Sequence, residues 1–141
     1  MKNNLSLQET SDIAEQMYKI ADEIESHEPD EKWRTVSKLK NSANDAYFYM
    51  AQVKGAGKGQ SLEFDCINAR KFINTMKSMY VFASKQGMIE LEPELVVRIE
   101  KLIAVIDDEH QLSQQQIKSK NDEEMKPWLE KYRIWQKISS D

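Results

Sequence analysis

The chain has 141 residues, of which 31 % are charged, and it contains only four glycines and three prolines. This composition is typical of long helices joined by few turns, and the length fits a single domain whose core needs no disulfide or metal. One cysteine, Cys66, excludes an intramolecular disulfide. The formal net charge of −4 disfavours a protein dedicated to coating nucleic acid.

No segment has the pattern of a secreted or membrane-inserted protein. Residues 1–17 lack the apolar run of a signal peptide. No stretch approaches the roughly 20 apolar residues that cross a bilayer. We therefore expect a cytoplasmic protein with no membrane partner.

The charge is distributed unevenly along the chain. Residues 1–30 carry a net −6, residues 31–87 a net +6, and residues 88–141 a net −4. A basic middle segment is the surface on which RNA or another anionic partner would bind, although solvated side chains are the simpler interpretation. The residues of this basic helix 2–3 face are Lys38, Lys40, Lys54, Lys58, Arg70, Lys71 and Lys77.

Apolar spacing predicts two helices in the first part of the chain. The first runs from about Ser6 to Ser26, and the second from about Glu31 to Gln52, with Asp30 as its candidate N-cap. The first stripe consists of Ile13, Met17, Ile20 and Ile24. The second consists of Val36, Leu39, Ala43, either Ala46 or Tyr47, and Met50, with Trp33 near the start.

Two further helices follow the glycine-containing connection. The third runs from an N-cap at Ser61 to about Gln86, and Gly87 is the residue expected just beyond its end. Its stripe is Leu62, Cys66, Ala69, Ile73, Met76, Tyr80 and Ala83. The fourth begins near Pro93 and carries Leu95, Ile99, Leu102 and Ile106.

The C-terminal residues leave two alternatives open. Residues 110–120 are polar and form either a continuation of the fourth helix or a linker, and residues 121–138 form a fifth, amphipathic helix. No segment alternates apolar and polar residues as a strand does. The predicted fold is all-α: an antiparallel up-down four-helix bundle over residues 6–109, with an additional C-terminal helix within residues 110–141.

An aromatic stripe marks this C-terminal segment. The apolar stripe of the fifth helix is Met125, Trp128, Tyr132 and Trp135. Its three aromatic residues, Trp128, Tyr132 and Trp135, follow a spacing of four and three residues, which places them on one side of a helix. Tryptophan and tyrosine dominate the energies of protein interfaces. The stripe is therefore a candidate protein interface, covered either by its own bundle, by a neighbouring subunit or by a different protein.

The segment VKGAGKGQS, residues 53–61, resembles a phosphate-binding loop in composition only. Such a loop has the pattern G-x-x-x-x-G-K-[ST] between a strand and a helix. Here Gln52 replaces the first glycine, Gly59 replaces the hydroxyl residue after Lys58, and a helix precedes the loop. The segment is then a helix connector, or else an anion site made by Lys54, Lys58, the glycine amides and the start of the third helix.

No catalytic or metal-binding set is recognisable. Cys66 lies on an apolar stripe with no histidine near it in sequence, and His27 and His110 are far apart. The Glu-x-x-His pairs of a di-iron bundle are absent from the sequence. We therefore expect no enzyme activity, no cofactor and no metal.

One part of the chain resembles a known family. Leu39, the loop from Gly57 to Ser61, Glu63-Phe64, Ala69-Arg70 and Gly87-Met88-Ile89 follow one another as in the bacterial four-helix-bundle proteins first met as products of ribosomal-RNA intervening sequences. The resemblance covers about residues 10–106, and Val53-Lys54 stands where that family has Glu-Gly.

The resemblance implies a non-enzymatic protein that assembles into a ring, typically a pentamer. A relative of that family, the accessory variability determinant of diversity-generating retroelements, binds a reverse transcriptase and RNA through a basic surface. The expected function is thus an oligomeric adaptor or scaffold, accessory to a reverse transcriptase or an RNA-containing complex. The alternative is a ligand- or phosphate-binding bundle that uses residues 54–61.

Overall fold

In a computed structural model, the chain is described over residues 2–30, 34–55 and 60–140, and its side chains over 6–30, 34–55 and 62–137. The described residues form four helices and no strand: α1 (Lys2–His27), α2 (Thr35–Gly55), α3 (Gln60–Lys85) and α4 (Pro93–Ser140). The all-α class predicted from the sequence is confirmed.

The helices pack in chain order around one core. Each contacts the next along the chain, and α1 also contacts α4. Between α3 and α4, Arg70 pairs with Asp107 and Lys77 pairs with Glu100, so positions further along α3 meet positions earlier on α4. The arrangement places the acidic helices α1 and α4 beside the basic segment of α2 and α3.

The core consists of the apolar stripes that the sequence predicts. Every stripe residue named for α3 and α4 is buried. In α1, Ala21 is fully buried and Ile20 only partly, while in α2 Ala46 is buried and Tyr47 is 42 % exposed. Ala46 is smaller than Tyr47 and lets α2 approach its neighbours closely. Trp33 lies outside the described residues.

The start of α2 differs from the prediction. The helix begins at Thr35, after Arg34, whose backbone φ of 54° lies in the left-handed region. A residue in that conformation cannot be inside a right-handed helix, so the helix begins after it. Asp30 lies in the preceding turn and is not the N-cap, and Glu31 is outside the described residues.

The connection from α3 to α4 is a glycine-terminated turn. Gly87 has a φ of 73°, as its predicted position beyond the helix end requires. Its N–H donates to the Ser84 carbonyl at 3.0 Å, and the Met88 N–H donates to the Ala83 carbonyl at 2.9 Å, which is the Schellman pattern. The buried Tyr80 hydroxyl accepts a 2.7 Å hydrogen bond from the Glu92 N–H and ties this turn to α3.

At the other end of α3, the helix begins at Gln60, one residue before the predicted start. The side chain of Ser61, the predicted N-cap, lies outside the described side chains. An N-cap residue precedes the first helical residue, and Ser61 follows Gln60 within α3, so Ser61 is not the cap.

The C-terminal region is one helix with α4, and not a separate fifth element. Residues 110–120 continue the helix, which is the first of the two alternatives, and α4 has 48 residues in total. The sequence has no glycine or proline between Pro93 and Pro127, so nothing there ends the helix. Pro127 lies inside α4, where it removes one backbone hydrogen bond.

About half of α4 extends past the bundle. At about 1.5 Å per residue α4 is about 72 Å long, whereas the 21 to 26 residues of the other helices give roughly 32 to 39 Å. Ser113 is the last fully buried residue, Ile117 the last half-buried one, and residues 118–137 are exposed. We call residues 118–140 the α4 arm.

Candidate interaction surface

Most described residues of the predicted basic surface are neutralised within the fold. Their carboxylate partners lie in the acidic segments of the chain, one on α1 and three on α4. The acidic and basic segments, which follow one another along the sequence, therefore pair as neighbouring helices. Four ion pairs result: Lys40–Asp22 (2.8 Å), Lys54–Glu109 (3.3 Å), Arg70–Asp107 (2.9 Å) and Lys77–Glu100 (3.1 Å). Lys40 also lies 5.7 Å from the centroid of the Tyr18 ring.

These basic residues do not lie on one face. Lys40 is directed toward α1, whereas Arg70 and Lys77 are directed toward α4 on the other side of the α2/α3 pair. Lys38 and Lys71 are exposed, and no ion pair of theirs occurs among the described contacts. The structure therefore offers separate cations rather than the continuous groove that tracks a nucleic-acid backbone.

The glycine connection is only partly described. The side chain of Lys54 is 8 % exposed and donates to Glu109 Oε1, so the carboxylate of α4 occupies the position beside its ammonium group. Lys58 and residues 56–59 lie outside the described residues. The anion site predicted for residues 54–61 stays a prediction, and its one described lysine already has an anionic neighbour.

The buried thiol lacks the environment of a nucleophile. Burial, assisted by the nearby carboxylates of Glu109 and Asp65, raises the pKa of Cys66 to about 11. A protonated thiol is a poor nucleophile at neutral pH, and a reactive cysteine has a lowered pKa. The Nε2 atom of His110 lies 3.4 Å from the Oε1 atom of Glu63. In the described part of the chain, no three His, Cys, Asp or Glu side chains are placed to hold a metal ion.

Shallow clefts lie between neighbouring helices of the bundle, and two of them flank the α2/α3 pair. One, of about 390 Å³ between α1 and α2, is lined by Ala14, Tyr18 and Tyr47 among others. The other, of about 260 Å³ between α3 and α4, contains Arg70, Lys71 and His110 beside the Asp107 carboxylate. Among the described contacts, no hydrogen bond in either cleft joins a hydroxyl or thiol to a histidine or a carboxylate.

The aromatic stripe is the main exposed apolar feature of the α4 arm. Trp128, Tyr132 and Trp135 are 66 %, 55 % and 64 % exposed. The rings of Tyr132 and Trp135 are nearly parallel, at 20°, with centroids 6.4 Å apart. The Gln136 side-chain amide donates to the Tyr132 hydroxyl at 3.0 Å, and the Lys131 ammonium lies 5.3 Å from the centre of the Trp128 ring. Of the three alternatives for its partner, packing on its own bundle does not occur in this structure.

The exposed face contains the predicted stripe, including Met125, and one further apolar residue, Leu129. Met125 and Leu129 are 53 % and 49 % exposed and border the three aromatic residues. Both lie at helical neighbour positions of Trp128 or Tyr132, so helical spacing was the signal that identifies them. Leu129 was not predicted, because it lies beside the line of the stripe and not on it.

This face continues the buried face of α4. Ile106, Ile117 and Trp128 are separated by eleven residues each, which is close to three full turns, so they lie on one side of a straight helix. Ile106 is fully buried, Ile117 is half-buried at the end of the bundle, and Trp128 is exposed. On this side of α4, the residues up to Ile117 pack against the bundle. The residues after Ile117 have the same orientation but make no described contact with α1, α2 or α3.

Other exposed apolar side chains lie on the bundle in smaller groups. Phe48, on α2 beside the exposed Tyr47, is 54 % exposed and packs edge-on against Tyr49. Phe64 is 62 % exposed near the start of α3, one turn from the exposed Ile67. Small exposed groups of this kind are normal on a protein surface, and Phe48 and Phe64 serve below as matched controls for the arm.

Comparison of the chain with known protein families, with curated proteins and with solved structures found no match. The resemblance to the intervening-sequence proteins therefore stays an expectation. Over the described residues, none of the helices is both long enough and apolar enough to cross a bilayer.

Proposed function

We propose that this protein is a non-enzymatic helical adaptor, in which the bundle anchors α4 and the α4 arm presents its apolar face to another protein chain. One observation carries the proposal: two tryptophans and a tyrosine lie on one face of an arm, each more than half exposed. Soluble domains rarely leave several large aromatic side chains together in water, and these residue types form the energetic centres of interfaces.

The energetics favour an arm that is covered by a partner. Large aromatic side chains bury about 150–250 Å² each, so the five apolar residues of this face, Met125, Trp128, Leu129, Tyr132 and Trp135, have on the order of 500 Å² still to bury. At roughly 25 cal/mol per Å² this corresponds to about 12 kcal/mol before the costs of association are subtracted. Without a partner, the arm is a helix of about 23 residues whose stability depends on propensity alone, which is marginal in water.

In this proposal the four helices form an antiparallel up-down bundle. The opposed pairing of α3 with α4 and the contact of α1 with α4 support it. The helical C-terminal segment acts as the additional element that we predicted, although it is joined to α4.

The proposal also includes the expectations that were drawn from the family resemblance. Assembly into a ring such as a pentamer and a reverse-transcriptase partner are parts of the proposal that the family resemblance alone supports. Action in the cytoplasm is a further part, which the absence of a signal-peptide pattern in residues 1–17 supports. The ion pairs of Lys40, Arg70 and Lys77 weigh against RNA binding across α2 and α3. No described observation favours the phosphate-binding alternative over the adaptor.

The test is native mass spectrometry of the full-length protein purified gently from its own host. We expect the wild type to carry a defined additional chain, identified by its mass, at a fixed stoichiometry. The double variant Trp128→Ala/Trp135→Ala should lose it, whereas the control Phe48→Ala/Phe64→Ala, which removes two aromatic side chains of similar exposure from the bundle, should retain it. Retention by the arm variant, or equal loss in both variants, contradicts the proposal.

The same preparations separate the rival functions. If RNA binds through the basic residues, binding of a labelled RNA should fall steeply with salt, because each phosphate contact releases counterions. If residues 54–61 bind phosphate, inorganic phosphate should raise the melting temperature of the wild type and not of Lys58→Ala. The adaptor proposal expects no thermal shift with phosphate and no salt-dependent RNA binding.

A further inference from the structure

We infer that the chain docked on the α4 arm is a second copy of this protein, with the two arms antiparallel and a twofold axis passing beside position 130. This inference rests on the proposed function, since it uses the same face, and it identifies the partner and its orientation. It replaces the ring expected from the family resemblance, because a twofold contact closes at two copies. Four features of the arm support it: the symmetry of its apolar stripe, its charge distribution, its length and its exposed area.

The apolar stripe is symmetric about position 130. Trp128 and Tyr132 lie two residues on either side, and Met125 and Trp135 lie five residues on either side. Their spacing of three, four and three residues is that of the core positions of a coiled coil. A twofold axis at 130 therefore places Trp128 against Tyr132 of the second copy, and Met125 against Trp135, with large side chains in both layers.

Leu129 lies on the flank of the stripe, next to the axis. A twofold rotation places a residue near the axis beside its own copy, as in any isologous interface. Leu129 is 49 % exposed, and the pairing lets its side chain pack against Leu129 of the second copy. This accounts for the one apolar residue that widens the stripe.

The charges of the arm favour the antiparallel orientation. The first part of the arm, residues 118–129, has a net charge of zero, because its three acidic residues are matched by three lysines: Asp122, Glu123 and Glu124 with Lys118, Lys120 and Lys126. The last part, residues 131–140, has a net charge of +3 from Lys131, Arg133 and Lys137. Antiparallel arms place the basic part of each copy beside the part of the other that contains the acidic run, whereas parallel arms would bring the two basic parts together, which is unfavourable.

The length of the arm fits this register. With the axis at 130, the last helical residue of one copy, Ser140, lies opposite position 120 of the other. Burial by the bundle ends at Ile117. Each arm therefore pairs along nearly its whole length and stops where the other bundle begins, so the two bundles lie at opposite ends and do not collide.

The exposed area is sufficient for a dimer. If each copy buries on the order of 500 Å², the pair buries about 1,000 Å², near the lower limit of stable specific interfaces. We therefore expect a dimer with a micromolar rather than a nanomolar dissociation constant, on the order of 1–10 µM.

Disulfide cross-linking of the full-length protein shows directly whether the two arms pair in an antiparallel or a parallel orientation. Leu129→Cys should form a covalent dimer under mild oxidation. Met125→Cys and Trp135→Cys should each remain monomeric in the denaturing gel but form a covalent dimer when mixed, because these positions face each other across the axis. Cys66 is retained, since it is fully buried and stays reduced. Phe64→Cys, on the bundle, is the control for random collision.

Sedimentation equilibrium measures the affinity independently of cross-linking. The wild type should be a dimer at tens of micromolar, Trp128→Ala should dimerise at least about tenfold more weakly, and Phe48→Ala should match the wild type. A wild type that is monomeric at about 100 µM overturns the inference. So does a covalent dimer of Met125→Cys alone, which indicates parallel arms, or a dimer in which no arm cysteine cross-links.

The two proposals fail in distinguishable ways. If the arms do not pair but a different protein still leaves the native complex when Trp128 and Trp135 are replaced, only the inference of self-pairing is overturned. If the arm variants change neither the dimer nor any bound protein, the adaptor proposal is overturned with it.

Discussion

The replacement Glu109→Gln tests how burial determines the strength of the ion pairs between helices. Glu109 accepts from Lys54, whose side chain is 8 % exposed, at 3.3 Å. Two residues earlier on α4, Asp107 accepts from Arg70 at 2.9 Å, but these side chains are 43 % and 50 % exposed. Asp107→Asn is therefore a matched control: it makes the same chemical change, on the same helix, in a shorter but more exposed pair.

The expected magnitudes differ because water screens only one of the pairs. At 3.3 Å and an effective dielectric constant of about 20, the Coulomb attraction is about 5 kcal/mol before desolvation is subtracted. Removing one charge from a partly buried pair leaves the other poorly solvated, so we expect Glu109→Gln to lower the free energy of unfolding by about 1.5–2.5 kcal/mol. For Asp107→Asn we expect no more than about 0.5 kcal/mol.

Urea unfolding followed by circular dichroism measures both variants. With a slope of about 2 kcal/mol per M, Glu109→Gln should lower the midpoint by about 1 M and Asp107→Asn by no more than about 0.25 M. Added salt should reduce the effect of Asp107→Asn further and leave that of Glu109→Gln nearly unchanged. If Asp107→Asn costs as much as Glu109→Gln, distance and not burial governs these pairs, and the reasoning is wrong.

Two further predictions concern buried hydroxyl and thiol groups. Tyr80→Phe should lower the free energy of unfolding by about 1–2 kcal/mol, because the Glu92 N–H loses its acceptor; equal stability by urea unfolding would show that water replaces the hydroxyl. For Cys66, the pKa of about 11 in the folded protein exceeds the ordinary 9.0, so its contribution to stability is complete below about pH 9 and is lost as the pH rises toward 11. The free energy of unfolding should fall over that range, and more steeply than in Cys66→Ala; equal slopes in the two proteins would contradict it.

The cores of α3 and α4 were predictable from the sequence because helical periodicity alone selects their residues. All eleven positions of the two predicted stripes, from Leu62 to Ala83 and from Leu95 to Ile106, are buried. In α2, periodicity left Ala46 and Tyr47 equivalent, since adjacent residues lie on overlapping sides of a stripe. In the structure the small Ala46 is the buried residue, because its side chain lets α2 approach its neighbours closely.

The candidate surfaces were less predictable. The lysines and arginines of the middle segment are visible in the sequence, but their ion-pair partners are up to 55 positions away, as with Lys54 and Glu109. Whether a basic residue faces solvent or a carboxylate depends on which helices are neighbours, and no local pattern contains that information. The continuity of α4 through residues 110–120 was left open because polar residues are compatible with both an exposed helix and a linker.

The periodicity and backbone preferences of neighbouring residues are enough to predict that this protein is helical, which residues of α3 and α4 form the core, and that Gly87 ends α3. Which apolar stripe is buried depends on how the helices pack, and no local pattern contains that information. Tyr80 and Trp128 lie on apolar stripes of the same helical spacing, yet Tyr80 is 1 % exposed and Trp128 is 66 % exposed. The difference arises because α1, α2 and α3 end where α4 continues, so none of the described helices buries the second stripe.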